Sequence, residues 1–236
     1  MIIEMLYPEI CNLYGDFQNA EYLARSCEDI EIVRTSLDDT PRFVTEKVDL
    51  ITMCGTTERR QELVIEKLMP YKEKIKELID GGTMFLWTGN AMEVLFNYIE
   101  RDDSSKIPGL GILDFHAKRR MLSRHNSLYL GKLGDMDIVG FNSRFTHAYG
   151  NNSDCYLFDT VRGVGINPDT DKAGIRVNNF MGTYIIGPLL ILNPPFAKYI
   201  LEELGVKEPK LAFEKTAMEV YDRRVSEFKN PKVELQ

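Results

Sequence analysis

Two short runs of almost uninterrupted apolar residues, VDLITMC (48–54) and TMFLW (83–87), set the strongest limit on what this chain can become. A strand with one face in water alternates apolar and polar residues, whereas a strand that does not alternate is covered on both faces. Between the runs lies ERRQELVIEKLMPYKEKIKELIDGG (58–82), whose apolar Leu63, Leu68, Ile75, Leu78 and Ile79 follow helical spacing. Pro70 predicts a bend or break in that helix, and Gly81 and Gly82 predict its end. Strand, helix, strand is the sequence of a parallel crossover, since parallel neighbours need a long connection. IIEML (2–6) and IEIVRTS (30–36), with helical NAEYLARSCE (19–28) between them, supply a second such unit. The expected architecture is an α/β fold of three layers, a mostly parallel sheet flanked by helices. Ligands then belong beyond the carboxyl ends of the strands.

From Ile107 to Ile186 the pattern changes to short strands and glycine-bearing turns: IPGLGILDF, LYLGKLGDMDIVGF, CYLFDTVRG and NNFMGTYIIG. These read as antiparallel hairpins added to the core sheet. NPPFAKYILEEL (193–204) returns to helix, with proline after a cap-like Asn193. The stretch KLAFEKTAMEVYDRRVSEF (210–228) sets Leu211, Phe213, Met218, Tyr221, Val225 and Phe228 along one stripe. The expected organisation is an α/β domain over 1–205 and a helical extension over 206–236, packed on that domain or on a partner.

Charge and cysteine usage narrow the function classes. A net charge of −7 and a pI of about 5.2 disfavour a nucleic-acid partner. The basic stretch HAKRRMLSRH (116–125) is read as an exposed loop or strand edge. No run approaches the ~18 apolar residues needed to insert in a membrane. Cys11, Cys27, Cys54 and Cys155 show no paired spacing, and Met1 leads straight into IIEMLYP. Reduced thiols in a cytoplasmic protein are expected. His116 and His125 lack a third ligand in spacing, so neither a metal nor a cofactor is called for.

Chemistry, if there is any, belongs at the strand ends. FLWTGNAMEVL (85–95) reads as a strand that stops at a sharp turn and starts a helix, with Thr88 at the tip and Gly89 after it. Asn90 is placed to cap that helix, with Glu93 in capping-box spacing. The neighbouring strand ends at Cys54-Gly55. Backbone N–H groups at two glycine-bearing turns can hold an oxyanion, and a helix N-terminus lowers the pKa of a thiol placed there. The arrangement suits acyl transfer by a group at position 88. Asp16 is read as a cap for the first helix together with Asn19, Trp87 as core, and Cys54 as a small buried residue or a displaced nucleophile.

Four segments occur in the order of one family: NLYGDFQN (12–19), PGLGILD (108–114), VGF (139–141) and GTYIIGPLLILNPPFA (182–197). They resemble the class I glutamine amidotransferases of the cobyric acid synthase type, a group that includes the glutaminase subunit of lipid II isoglutaminyl synthase. The resemblance implies a fold that releases ammonia from glutamine and passes it to an ATP-dependent partner, a Mur-ligase-like one for lipid II. It also implies a nucleophilic cysteine where this chain has Thr88 and a histidine where it has Ile186. The oxyanion loop falls on Met53-Cys54-Gly55. The segment after Phe141, NSRFTHA, departs from the family pattern and offers Arg144 and His147 as ligand contacts beside Gly55, Gly89 and Asn90.

A threonine hydroxyl is a poor nucleophile without a base, and isoleucine is no base. Three readings stay open. The chain is a non-catalytic scaffold or regulatory subunit for a Mur-ligase-like or other ATP-dependent synthetase. Or it is a glutaminase rewired around Cys54, with His147 or another residue as base. Or it is a sensor that binds a glutamine-like small molecule in the vestigial pocket.

Overall fold

A computed structural model of the chain describes residues 1–234. The first half supplies strands Ile2–Leu6 (β1), Glu31–Thr35 (β2), Leu50–Met53 (β3) and Met84–Thr88 (β4). Helix Gln18–Ser26 (α1) joins β1 to β2, and Glu58–Leu68 (α2) and Lys72–Asp80 (α3) join β3 to β4. The break between α2 and α3 is a 3-10 turn over Met69–Tyr71, so the helix splits at Pro70 as its ring requires. Further strands are Tyr98–Glu100 (β5), Lys106–Pro108 (β6), His116–Arg119 (β7), His125–Leu133 (β8), Met136–Arg144 (β9) and Thr146–Tyr149 (β10). Phe158–Arg162 (β11), Lys172–Ala173 (β12), Ile175–Val177 (β13) and Phe180–Thr183 (β14) follow, and helices Leu189–Leu192 (α4), Pro194–Glu203 (α5) and Glu214–Lys229 (α6) come last.

The central sheet has the order β13-β14-β4-β3-β1-β2, and every pairing in it is parallel except β13 with β14. Its two faces divide β4 residue by residue. Phe85 and Trp87 enter one core with Val64, Leu68, Ile75 and Ile79 of α2 and α3. Met84 and Leu86 enter the other with α1, α4 and α5. That division is why the run does not alternate in polarity: both sets of side chains are buried. Met53, the last residue of β3, lies opposite Trp87, so the strands that lead into Cys54 and Thr88 are direct neighbours at their carboxyl ends.

The hairpins of the second half depart from expectation. Only the β13–β14 hairpin extends the central sheet; the others form two separate four-stranded sheets, β10-β7-β5-β6 and β12-β11-β8-β9. For the first of these sheets the reason lies in alternation. In β7 and β10 every second residue is buried, so each strand has one face for the core and one for water. Such strands cannot sit in the middle of a doubly covered sheet. HAKRRMLSRH accordingly forms β7, the turn after it and the start of β8, with Arg119 buried rather than exposed.

Helix α6 packs Tyr221, Val225 and Phe228 on Leu130 and Val139 of the β8–β9 hairpin. The Tyr221 hydroxyl donates to the Asp137 carbonyl (2.8 Å), and Arg162 donates to the carbonyls of Phe228, Asn230 and Val233. Phe213 does not join this stripe. It stands 71% exposed at φ +56°, just before the helix.

Asn193 makes no cap. Its Oδ1 accepts the Val139 N–H (2.8 Å), and its Nδ2 donates to the carbonyls of Val139 (2.7 Å) and Leu189 (2.8 Å). One fully buried amide thus supplies the strand-like pairing that β9 needs from the helical layer. Asn193→Ala leaves two buried backbone groups of Val139 without partners, and we expect a stability loss of about 2–4 kcal/mol. Urea unfolding with an unchanged m-value is the measurement; a loss below about 0.5 kcal/mol refutes this role.

Candidate functional site

Thr88 ends β4 in extended conformation (φ −109°, ψ 158°), and the chain reverses at Gly89, whose φ is +62°. The tip of the turn is therefore Gly89, one residue later than the sequence suggests. The Thr88 side chain is buried and its hydroxyl donates to Asp16 Oδ2 (2.5 Å). Asp16 Oδ1 accepts the N–H of Gly187 (3.0 Å), so a single carboxylate joins β4 to the loop after β14. Asp16 is not a side-chain cap of α1. Burial raises its pKa to about 6, against the pull of both hydrogen bonds.

The residues after the tip form a 3-10 stretch over Gly89–Leu95, with no side-chain cap at its start. Asn90 faces the other turn instead. Its Oδ1 accepts the Thr56 N–H (2.9 Å) and its Nδ2 donates to the Thr56 carbonyl (2.8 Å). Glu93 does not complete a capping box either. It is fully buried and accepts from Gln61 (2.9 Å), from the Tyr184 hydroxyl (2.8 Å) and from the Thr146 hydroxyl. Burial raises its pKa, and these donors oppose the rise.

The two turns and the loop after β14 meet at one point. A Cβ placed on Gly89 would stand 3.0 Å from Gly55 Cα, 3.4 Å from Gly55 N and 3.8 Å from Ile186 Cγ2. Ile186 is fixed there by a two-way backbone bridge to Phe141 of β9. This point lies in the wall of a 270 Å³ cavity. Tyr14, at φ +63° in the NLYG turn, stands in the same wall. Its hydroxyl donates to Ser143 Oγ (2.9 Å) and accepts from Arg124.

Of the five sequence-derived ligand contacts, Gly55, Gly89, Asn90 and Arg144 line the cavity and His147 does not. Successive strand residues face opposite ways, so Thr146 turns to Glu93 while His147 turns towards His125, ring centroids 5.7 Å apart. Burial first, then Arg144 and His125, lower the His147 pKa to about 4. Cys54 sits elsewhere, among Asp16, Cys11 and Thr88, where burial and then the neighbouring Asp16 hold its thiol well above the ordinary range. A neutral thiol and a neutral imidazole with different neighbours do not make a catalytic pair. Arg144 is buried, its guanidinium 4.0 Å above the Tyr184 ring, with Nη2 donating to the Gly165 carbonyl (2.8 Å). Burial lowers its pKa to about 10, so it stays charged at neutral pH.

Sequence reasoning missed Tyr14, Arg124 and Tyr184 as cavity walls. Tyr14 was within reach, since NLYGDFQN was already singled out. Arg124 and Tyr184 also lie in segments already singled out, HAKRRMLSRH and GTYIIGPLLILNPPFA, but nothing in either segment marks those two residues as cavity walls. Among the described residues no group of three or more His, Cys, Asp or Glu side chains is placed to hold a metal ion, and no helix is long and apolar enough to cross a membrane.

A sequence profile of the CobB/CobQ-like glutamine amidotransferase domain matches residues 2–193. Subunit GatD of the glutamine-hydrolyzing lipid II isoglutaminyl synthase of Staphylococcus aureus (strain N315) is 27% identical over 197 residues. That match covers 81% of this chain and 79% of the relative. The corresponding subunit of Streptococcus pneumoniae (strain ATCC BAA-255 / R6) is 24% identical over 205 residues, covering 83% and 76%. Among solved structures, a glutamine amidotransferase superposes with TM-score 0.56 at 13% identity, over 86% of this chain and 99% of that one. PurLQS from Thermotoga maritima gives the same TM-score and identity over 86% and 96%. At these identities the superpositions speak for the fold alone.

The raised pKa of Asp16 has a definite sign. The folded carboxyl binds its proton more tightly than the unfolded one, so this group costs stability above about pH 6. The cost fades as pH falls through 6 towards the unfolded value of 3.8. Full relief amounts to about 3 kcal/mol. The depressed pKa of His147 acts in the opposite sense over an overlapping range, so the informative quantity is the difference from Asp16→Asn. We expect wild type to gain about 2–3 kcal/mol on that variant between pH 7.5 and pH 4. A difference flat across this range in chemical denaturation refutes the ionisation linkage.

Proposed function

Because the chain belongs to the CobB/CobQ-like glutamine amidotransferase family, we propose that it keeps the family's fold and a subunit role while omitting glutamine hydrolysis. The observation that carries this reading is the convergence of Gly89, Gly55 and Ile186 on one point without a nucleophile or a base. Glutamine hydrolysis by acyl transfer needs a thiolate at the amide carbon, a base for its proton and donors for the oxyanion. Gly89 has no side chain, and Ile186 cannot take a proton. Thr88 spends its hydroxyl on Asp16, and Cys54 is a buried thiol. We assign the nucleophile's place to Gly89 and not to Thr88, because Gly89 carries the left-handed turn and faces Ile186.

The relatives are named as subunits of a synthase, and this supports an ATP-dependent, Mur-ligase-like synthetase as the partner. In that assembly the chain acts as a scaffold or regulator. A glutaminase rewired around Cys54 and His147 has no geometric support, since the two residues face different neighbourhoods.

Purified chain, alone or with its co-purified partner, should release no glutamate from glutamine above background, since nucleophile and base act as a unit worth about 10⁶ in rate. Hydrolysis abolished by Cys54→Ala overturns the reading. Pull-down of the native protein should recover a Mur-ligase-like chain, and recovery as a lone chain argues against the subunit role.

The assignment of the turn is tested separately by paired substitution. Gly89→Cys with Ile186→His should give a thiol labelled by a glutamine-analogue electrophile, at a stability cost of about 1–3 kcal/mol for the left-handed, crowded position. Thr88→Cys with Ile186→His should resist labelling, because that side chain points at Asp16. The reverse pattern moves the elbow back to position 88.

A further inference from the structure

Arg144 brings a charge into the cavity wall that the protein leaves without an ion-pair partner. The residue is 6% exposed, only Nη2 has a hydrogen-bond acceptor, and Nε and Nη1 are buried with none. Among the described residues no carboxylate lies within 4.0 Å of it. Glu93, whose charge it senses, already accepts from Gln61, Tyr184 and Thr146. A buried guanidinium with two idle donors is costly unless something anionic meets it.

The second cation of the cavity is Arg124, on the exposed turn before β8. It bonds to the Tyr14 hydroxyl and lies 5.2 Å from the Phe145 ring centroid, and among the described residues it too has no carboxylate partner. The walls hold one acidic residue, Glu58, against these two arginines. A zwitterionic amino acid would leave that excess of positive charge in place. The excess is one positive charge, but neither arginine has an anionic partner among the described residues, and a ligand with two anionic groups can meet one at each wall, since arginine forks suit carboxylate and phosphate oxygens alike.

We propose that the cavity binds a small dianionic ligand, a dicarboxylate or a phosphate-bearing metabolite, with Arg144 at its buried wall and Arg124 at its exposed one. Bound there, the ligand tethers β9 and the Tyr14 turn to the paired glycine turns, so its occupancy is felt at the strand ends. This goes beyond the non-hydrolytic subunit reading, and it is measured on the chain alone, without glutamine turnover or a partner.

The test is thermal unfolding of the full chain in sodium succinate, sodium phosphate or glutamine, each against sodium chloride of equal ionic strength. At least one dianion should raise Tm saturably, by about 5–10 °C at one hundred times its Kd, and glutamine should not. Whether succinate or phosphate acts at the lower concentration identifies the source of the charge. Arg144→Gln should weaken binding by about thirtyfold or more. Arg124→Gln, a surface change that leaves the core untouched, should weaken it by about three- to tenfold and decides the matter if Arg144→Gln fails to fold. The proposal is overturned by no saturable shift with either dianion, by a shift equally large in the folded variants, or by protection from glutamine alone.

Discussion

The buried carboxylate of Asp16 is the contact on which the shape of the site rests. It takes a hydrogen bond from the last residue of β4 and another from the loop that follows β14, and its own side chain is closed off from water. A carboxylate in such surroundings is costly on its own account, and its raised pKa expresses that cost. The return is positional. With Thr88 drawn towards Asp16, the chain turns over at Gly89, and with Gly187 held, Ile186 faces Gly89. Asn90 then locks the opposite turn by pairing with both backbone groups of Thr56. Asp16, Asn90 and Glu93 are each met by partners, while Arg144 keeps two idle donors.

Much of the fold was legible because its signal is local. The apolar runs at 48–54 and 83–87 required double coverage, and the proline in the helix between them marked its break. The division of the later hairpins into two further sheets was not legible. Strand partners such as Ser127 and Asn142, or Ala117 and Ala148, are chosen by long-range packing, which alternation alone does not encode.

The site shows the same boundary at finer scale. Asn90 and Glu93 have the spacing of a capping box, but tertiary partners took both side chains. Asp16 looked like a helix cap because its true partners lie 72 and 171 residues away. The tip of the elbow was misplaced by one residue, and along a strand one residue is the difference between facing the cavity and facing the core. His147 failed for that reason as well, while Arg144, three residues earlier and on the other face, stands in the wall.

The 3.0 Å approach to Gly55 Cα also bears on how this site can change over mutational time. A side chain at position 89 needs the neighbouring loop to withdraw, yet that loop is tied down by Asn90. A polar group at position 186 needs a partner that the isoleucine slot does not offer. Each step towards a reactive pair is therefore unfavourable until the other, and the loop, have already moved. Drift thus meets a one-way gate at this turn: substitutions that empty it further are easily absorbed, and those that would refill it must arrive together.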